Sequence, residues 1–187
     1  MTPLEYSPEG PLRRALNLID RLGWRVGGVF LALSNTCLIA MLALTTATII
    51  LRPMGLAPFW MWPWTMVFFI WLSFFGFFAM YVRLKDVRVD FVAGLFGPLG
   101  MTATRLLSDL ATLTVVGVIL WQVPTVISNA HGVYDGAVLL NGTELPRVAL
   151  SIPLFISSVL IAGTALLDLA KILAGMPENV ADHHPEG

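Results

Sequence analysis

Four stretches of this chain contain no Asp, Glu, Lys or Arg and are each long enough to cross a bilayer. The first runs from Val26 to Leu51, between Arg25 and Arg52, and the second fills the apolar part of the interval between Arg52 and Arg83, about Phe59 to Val82. The third runs from Leu110 to Asn129, after Asp109, and the fourth from Val148 to Leu167, between Arg147 and Asp168. A helix of about 20 residues covers roughly 30 Å of hydrocarbon. Lipid offers no hydrogen bonds to the backbone, so spans of this length must satisfy their own and are helical. The expected fold is an all-α integral membrane protein: one membrane domain over residues 1–187, with transmembrane helices at about 26–51, 59–82, 108–129 and 148–168.

Composition agrees. Of 187 residues, 57% are hydrophobic and 12% charged, more apolar surface than a soluble domain of this size has interior to hide. That excludes an ordinary cytosolic enzyme, a disordered tail and a disulfide scaffold. The one cysteine, Cys37, cannot form an intrachain disulfide and lies in an apolar run, where cysteine acts as a small packing residue. The net charge of −1 gives no basic character suited to nucleic acid.

The first uncharged run has 26 residues, whereas the apolar core of a cleaved signal has about 7–15, so it reads as a retained helix. At 1.5 Å per residue it reaches roughly 39 Å and is expected to tilt or project past the bilayer. Nine cations lie on one side: Arg13, Arg14, Arg21, Arg25, Arg83, Lys85, Arg88, Arg105 and Lys171. Only Arg52 and Arg147 lie on the other. That bias places both termini in the cytoplasm, where the anionic leaflet and the membrane potential hold cations.

Residues 1–10 and the tail at about 176–187 are polar and expected to be mobile. Over residues 11–24, Leu12, Ala15, Leu16, Ile19 and Leu22 recur at helical spacing behind Pro11, which predicts a short amphipathic interfacial helix. A second is expected after the second span, where charges alternate from Arg83 to Asp90, before Gly97-Pro98 interrupts it. Arg105 and Asp109 have the spacing of a helical ion pair. On the other side are the short link 52–58 and the longer loop 130–147, with a turn expected at Asn141-Gly142.

A search for chemistry finds none. The four uncharged stretches hold none of the Asp, Glu, His, Lys or Arg that proton relays and ion sites inside membranes usually need. The three histidines, His131, His183 and His184, lie outside the spans, so paired haem ligands are absent. No catalytic, cofactor or metal site is expected; a structural phospholipid is the only bound small molecule left open. The spans do carry packing material. Gly23 and Gly27 form a small-xxx-small pair, Gly28, Ala32 and Thr36 continue a small face, and Asn35 is placed as interhelical glue. The second span is aromatic along its whole length, Trp64 and Trp71 included, and offers broad, rigid contact area to a partner or to lipid. Gln122 and Pro124 suggest a kink in the third.

The run Trp64, Trp71, Gly76, Arg83, Asp86, Val87, Arg88, Val89 and Asp90 resembles the small membrane subunit of tripartite ATP-independent periplasmic (TRAP) transporters, the DctQ-like family. In that family an aromatic helix with a Gly leads to an Arg and then a His-Ile-x-Val-Asp-like run; here Asp86 stands where His is common. The likeness covers roughly residues 12–172 and includes Ser151-Ile152-Pro153 in the last span. It implies Na⁺-driven uptake of a carboxylated solute. An extracytoplasmic solute-binding protein would deliver the solute to a large elevator-type membrane subunit, whose static frame the small subunit clamps in the bacterial or archaeal inner membrane. On that view Trp64, Trp71, Gly76, Arg83, Lys85, Asp86, Arg88 and Asp90 are expected at partner or lipid contacts, with Arg83, Lys85 and Arg88 meeting lipid phosphates. Loops 52–58 and 130–147 are expected to face the binding protein. The competing readings are the four-helix subunit of a tripartite tricarboxylate transporter and a self-contained small channel.

Overall fold

The computed structural model describes residues 10–83 and 97–176. Helix α1 spans Pro11–Leu51, α2 Met61–Arg83, α3 Gly97–Asn129 and α4 Val148–Leu173. All four are long and apolar enough to cross a membrane. A two-stranded antiparallel hairpin, β1 Val133–Val138 and β2 Glu144–Pro146, joins α3 to α4.

The amphipathic segment 11–24 and the first span are one helix of 41 residues, not two. The apolar pattern changes from one-sided to all-round near Arg25, but no proline lies between Pro11 and Pro53 to stop the backbone ladder. The glycines at 27 and 28, which cost an isolated helix about 1 kcal/mol each, are offset by packing. A methyl on Gly27 would lie 3.2 Å from Val82 Cγ1, and one on Gly28 would lie 2.8 Å from Arg83 Nη2. Further along, Gly76 of α2 leaves room for Ser34, whose Oγ would be 3.1 Å from a methyl there and donates to the Leu72 carbonyl at 3.3 Å. Small residues on both helices let α1 and α2 run close together. Phe30 fills the groove between them, edge-on to Phe75 and Phe78 at 5.5 and 5.0 Å between ring centroids.

Helix α4 lies against this pair, and Ser157 Oγ donates to the Phe74 carbonyl at 2.7 Å. Helix α3 packs along α4. The common core is Phe78, Val82, Val116 and Ile161, drawn from α2, α3 and α4. Helix α3 begins about three turns earlier than the sequence suggests, at Gly97 rather than near 108. A Gly-Pro pair that would break a helix interior is tolerated in a first turn, where a missing N–H forfeits no helical bond. The helix continues through Pro124.

The loop 130–147 is an ordered hairpin, a departure from the purely helical expectation. The Asn141-Gly142 turn stands, with Gly142 at φ 81°. Gly136, at φ 82° in the irregular part of β1, sits over Pro63: a methyl there would meet its Cγ at 2.9 Å. Glu144 Oε1 accepts from the Gly136 N–H at 3.1 Å, so the bulge leaves that donor satisfied.

Replacement of Gly27 by Leu should force α1 off Val82 and cost about 1–3 kcal/mol. The readout is a lower unfolding midpoint in detergent. Gly23→Leu, at a position with no neighbouring atom within 4 Å, should leave the midpoint unchanged.

Candidate functional site

The charged contacts of the bundle lie toward its two ends, and between them the helices meet through apolar side chains and the hydroxyls of Ser34 and Ser157. At one end α1 begins and α4 finishes. Leu16, Asn17 and Asp20 share the buried face of α1, and Asp168 and Lys171 lie one turn apart on the buried face of α4. Lys171 Nζ is 2.5 Å from Asp20 Oδ1 and 3.8 Å from Asp168 Oδ1. The Lys171 side chain is 1% exposed and that of Asp20 7%. Leu16, Leu167 and Met176 close over the cluster, and Arg13 donates to the Ala174 carbonyl at 3.1 Å, a cation on the last turn of α4. Asp109 of α3 is also buried. Val116 and Ile161 share the core, so in the antiparallel pair α3–α4 both Asp109 and Asp168 lie about two turns beyond it, toward the same end.

Arg83 ends α2 here. Its guanidinium lies 4.7 Å from the centre of the Trp24 ring, over the ring, and beside Gly28. Sequence reasoning sends this cation to lipid phosphates; the structure seats it within the chain as a cation–π pair. Lys85, Asp86, Arg88 and Asp90 lie outside the described residues, as does the expected interfacial helix that contains them.

At the opposite end two tryptophans fasten the hairpin and α4. Trp64 Nε1 donates to the Val138 carbonyl at 3.0 Å, and Trp71 Nε1 to the Ala149 carbonyl at 3.2 Å. Both bonds use the amphipathic character of indole, an apolar body with one donor. Below them Val67, Ala137 and Leu145 form a small buried core, and Arg147 Nε donates to the Val133 carbonyl at 2.9 Å.

Of the small-residue positions, Gly27, Gly28 and Gly76 line the α1–α2 contact, while Gly23 meets no neighbour within 4 Å. Asn35 is exposed and is not an interhelical contact within this chain. The buried face of α1 passes through Ser34 and Cys37, and one residue is a turn of about 100°, which carries Asn35 outward. The Asp20–Asp168–Lys171 cluster was not anticipated. The available signal is an acid at Asp20, one turn from Leu16 and Asn17, and an acid–base pair three apart, Asp168 and Lys171, just past the last span. No cluster of potential metal ligands occurs among the described residues.

A chain of this kind is a multi-pass membrane protein whose spans pack through glycine, serine and aromatic contacts around an apolar middle. It belongs to the DctQ component family of the tripartite ATP-independent periplasmic transporters, whose family model matches residues 41–175. It is therefore a transporter component and not an enzyme: the small TRAP membrane subunit. The match takes in Trp64, Trp71, Gly76, Arg83, Asp168 and Lys171 and leaves Asp20 outside it. No curated protein and no solved structure matches the chain.

Lys171→Met removes the cation between two buried carboxylates and should destabilise the chain by about 3–5 kcal/mol. Combining it with Asp20→Asn should recover part of that loss, measured as a coupling energy in a double-mutant cycle of unfolding in detergent. Trp64→Phe keeps an aromatic ring but deletes the donor and part of the indole body, a loss of about 1 kcal/mol for the hydrogen bond plus the cost of the lost volume. Its expected signature is faster amide exchange in the hairpin with exchange in α4 unchanged.

Proposed function

We propose that this chain is the static scaffold of a large membrane subunit in binding-protein-dependent, Na⁺-driven uptake of a carboxylated solute. The observation that carries the reading is the separation of charge from the spans. The bundle middle is built around Phe78, Val82, Val116 and Ile161, and the buried charged groups of the described residues, Asp20, Asp109, Asp168 and Lys171, gather at one end. A bundle so arranged offers no polar route for a charged solute, so the moving site belongs to a partner. Membership in the DctQ family supports that partner being the large TRAP membrane subunit.

Helix α3 suits a scaffold. It packs along α4 and turns Leu107, Val118 and Trp121 outward, so much of its apolar surface is free to meet another helix within the bilayer. In this proposal both termini lie in the cytoplasm of a bacterial or archaeal cell, as the distribution of cations favours. The link 52–58 and the hairpin then face the solute-binding protein, with Asp135 exposed on β1 as a polar contact.

Reconstitution tests the scaffold. Solute flux into liposomes should require this chain and the large subunit together, with a Na⁺ gradient and loaded binding protein, and this chain alone should give none. Sustained flux from this chain alone would refute the reading, as would full flux from the large subunit without it.

A further inference from the structure

The tip of the hairpin carries a fully exposed leucine, Leu140, beside Asn141 and Gly142. The Leu139 N–H donates to the Thr143 carbonyl at 2.8 Å, and the Gly142 N–H to the Leu139 carbonyl at 2.9 Å. These bonds close a three-residue loop, Leu140-Asn141-Gly142, with glycine at the left-handed position. Leu140 heads the loop, and its exposure reaches 111% of the reference value. The side-chain oxygen of Asn141 in the same loop is bonded locally. Asn141 Oδ1 accepts from the Thr143 N–H at 3.2 Å and from the Thr143 hydroxyl at 2.7 Å. The tip therefore presents hydrocarbon outward while its amide oxygen is already satisfied, which lowers the cost of leaving water.

Leu139 and Leu140 open onto a groove of about 720 Å³ whose walls also include Trp60, Trp64, Phe68 and Ala43. Ala43 lies about 12 Å along the axis from Leu51, and Phe68 about 10 Å from the start of α2. The uncharged part of α1 is roughly 39 Å long and overhangs a 30 Å hydrocarbon core by only about 5 Å at each end. The deep wall of the groove is thus within the hydrocarbon, and the exposed rings of Phe59, Trp60 and Trp62 mark the boundary above it. The groove is continuous with the outward apolar surface of α1 and α2, which the bilayer covers.

We propose that the hairpin is a membrane-interface element: Leu139 and Leu140 enter the leaflet at this end of the bundle, and acyl chains of that leaflet fill the groove. The hairpin then has two sides. Its tip is held in lipid, while Asp135 and the root near Arg147 stay in water. The inference needs only the four spans and is independent of the scaffold reading.

The test uses the full chain in phosphatidylcholine nanodiscs, with an environment-sensitive bimane label attached through Leu140→Cys in a Cys37→Ser background. Leu140 has no packed neighbour to lose, and the same label at Asp135→Cys is the aqueous reference. The expected result at 140 is emission blue-shifted from the 135 label, quenched by lipid brominated on its acyl chains and insensitive to aqueous iodide. Iodide quenching at 140 equal to that at 135 would overturn the proposal by placing the tip in water. Insensitivity to both quenchers would overturn it by placing the tip against protein. In the complex with the large subunit, loss of the bromolipid quenching would overturn lipid as the occupant of the groove.

Discussion

Hydrocarbon cannot accept or donate a hydrogen bond, and most of this structure follows from that. Each span closes its own ladder, and the hydroxyls in the spans turn back onto it. Thr36, Thr45, Thr48, Thr65, Thr114 and Thr164 each donate to the carbonyl four residues earlier. Four side chains reach across to backbone oxygens: Ser34 to Leu72, Ser157 to Phe74, Trp64 to Val138 and Trp71 to Ala149. Each replaces water with a carbonyl that has a spare lone pair, so it fixes helix register without disturbing the ladder of the accepting helix. With no aqueous driving force between helices, close approach carries the packing, which is why α1 and α2 meet through glycines.

The buried ion cluster follows the same logic at a different depth. A Lys–Asp pair in mid-membrane would have to offset a desolvation cost of several kcal/mol per ion. Placed at the end of the bundle, beyond Ile161 and beside the last turn of α4, Asp20, Asp168 and Lys171 are shielded by Leu16, Leu167 and Met176 rather than by lipid. Such pairs contribute uncertain net stability but strongly disfavour alternatives in which one charge loses its partner. Here the alternative disfavoured is any packing in which the first three turns of α1 swing away from α4.

The sequence made the spans legible because their signal is length without charge, which no folding detail can mask. It made Gly27 and Gly28 legible as packing positions for the same local reason. What it hid depended on which residues meet across the fold. Asp20 and Lys171 are 151 positions apart; Asp20 lies among cations that read as a topology signal, and Lys171 reads as part of that same signal. Arg83 opens a run of charges in the sequence, and its stacking on Trp24 needs the α1–α2 register to be known first. Asn35 and Ser34 are adjacent and polar, and only the helix rotation decides that Ser34 faces in. The hairpin showed only its turn, since strands of six and three residues carry too little alternation to be seen.

The unbroken α1 has a mechanical consequence. At 41 residues it is a rod of roughly 60 Å, twice the hydrocarbon thickness. Lys171 grips it well below the stretch that Val82 and Ser34 fasten to α2, so it is clamped at two separated heights. A rod held that way cannot lean by itself. Where a thinner or thicker bilayer is met by tilting, these contacts couple the tilt of α1 to that of α2 and α4.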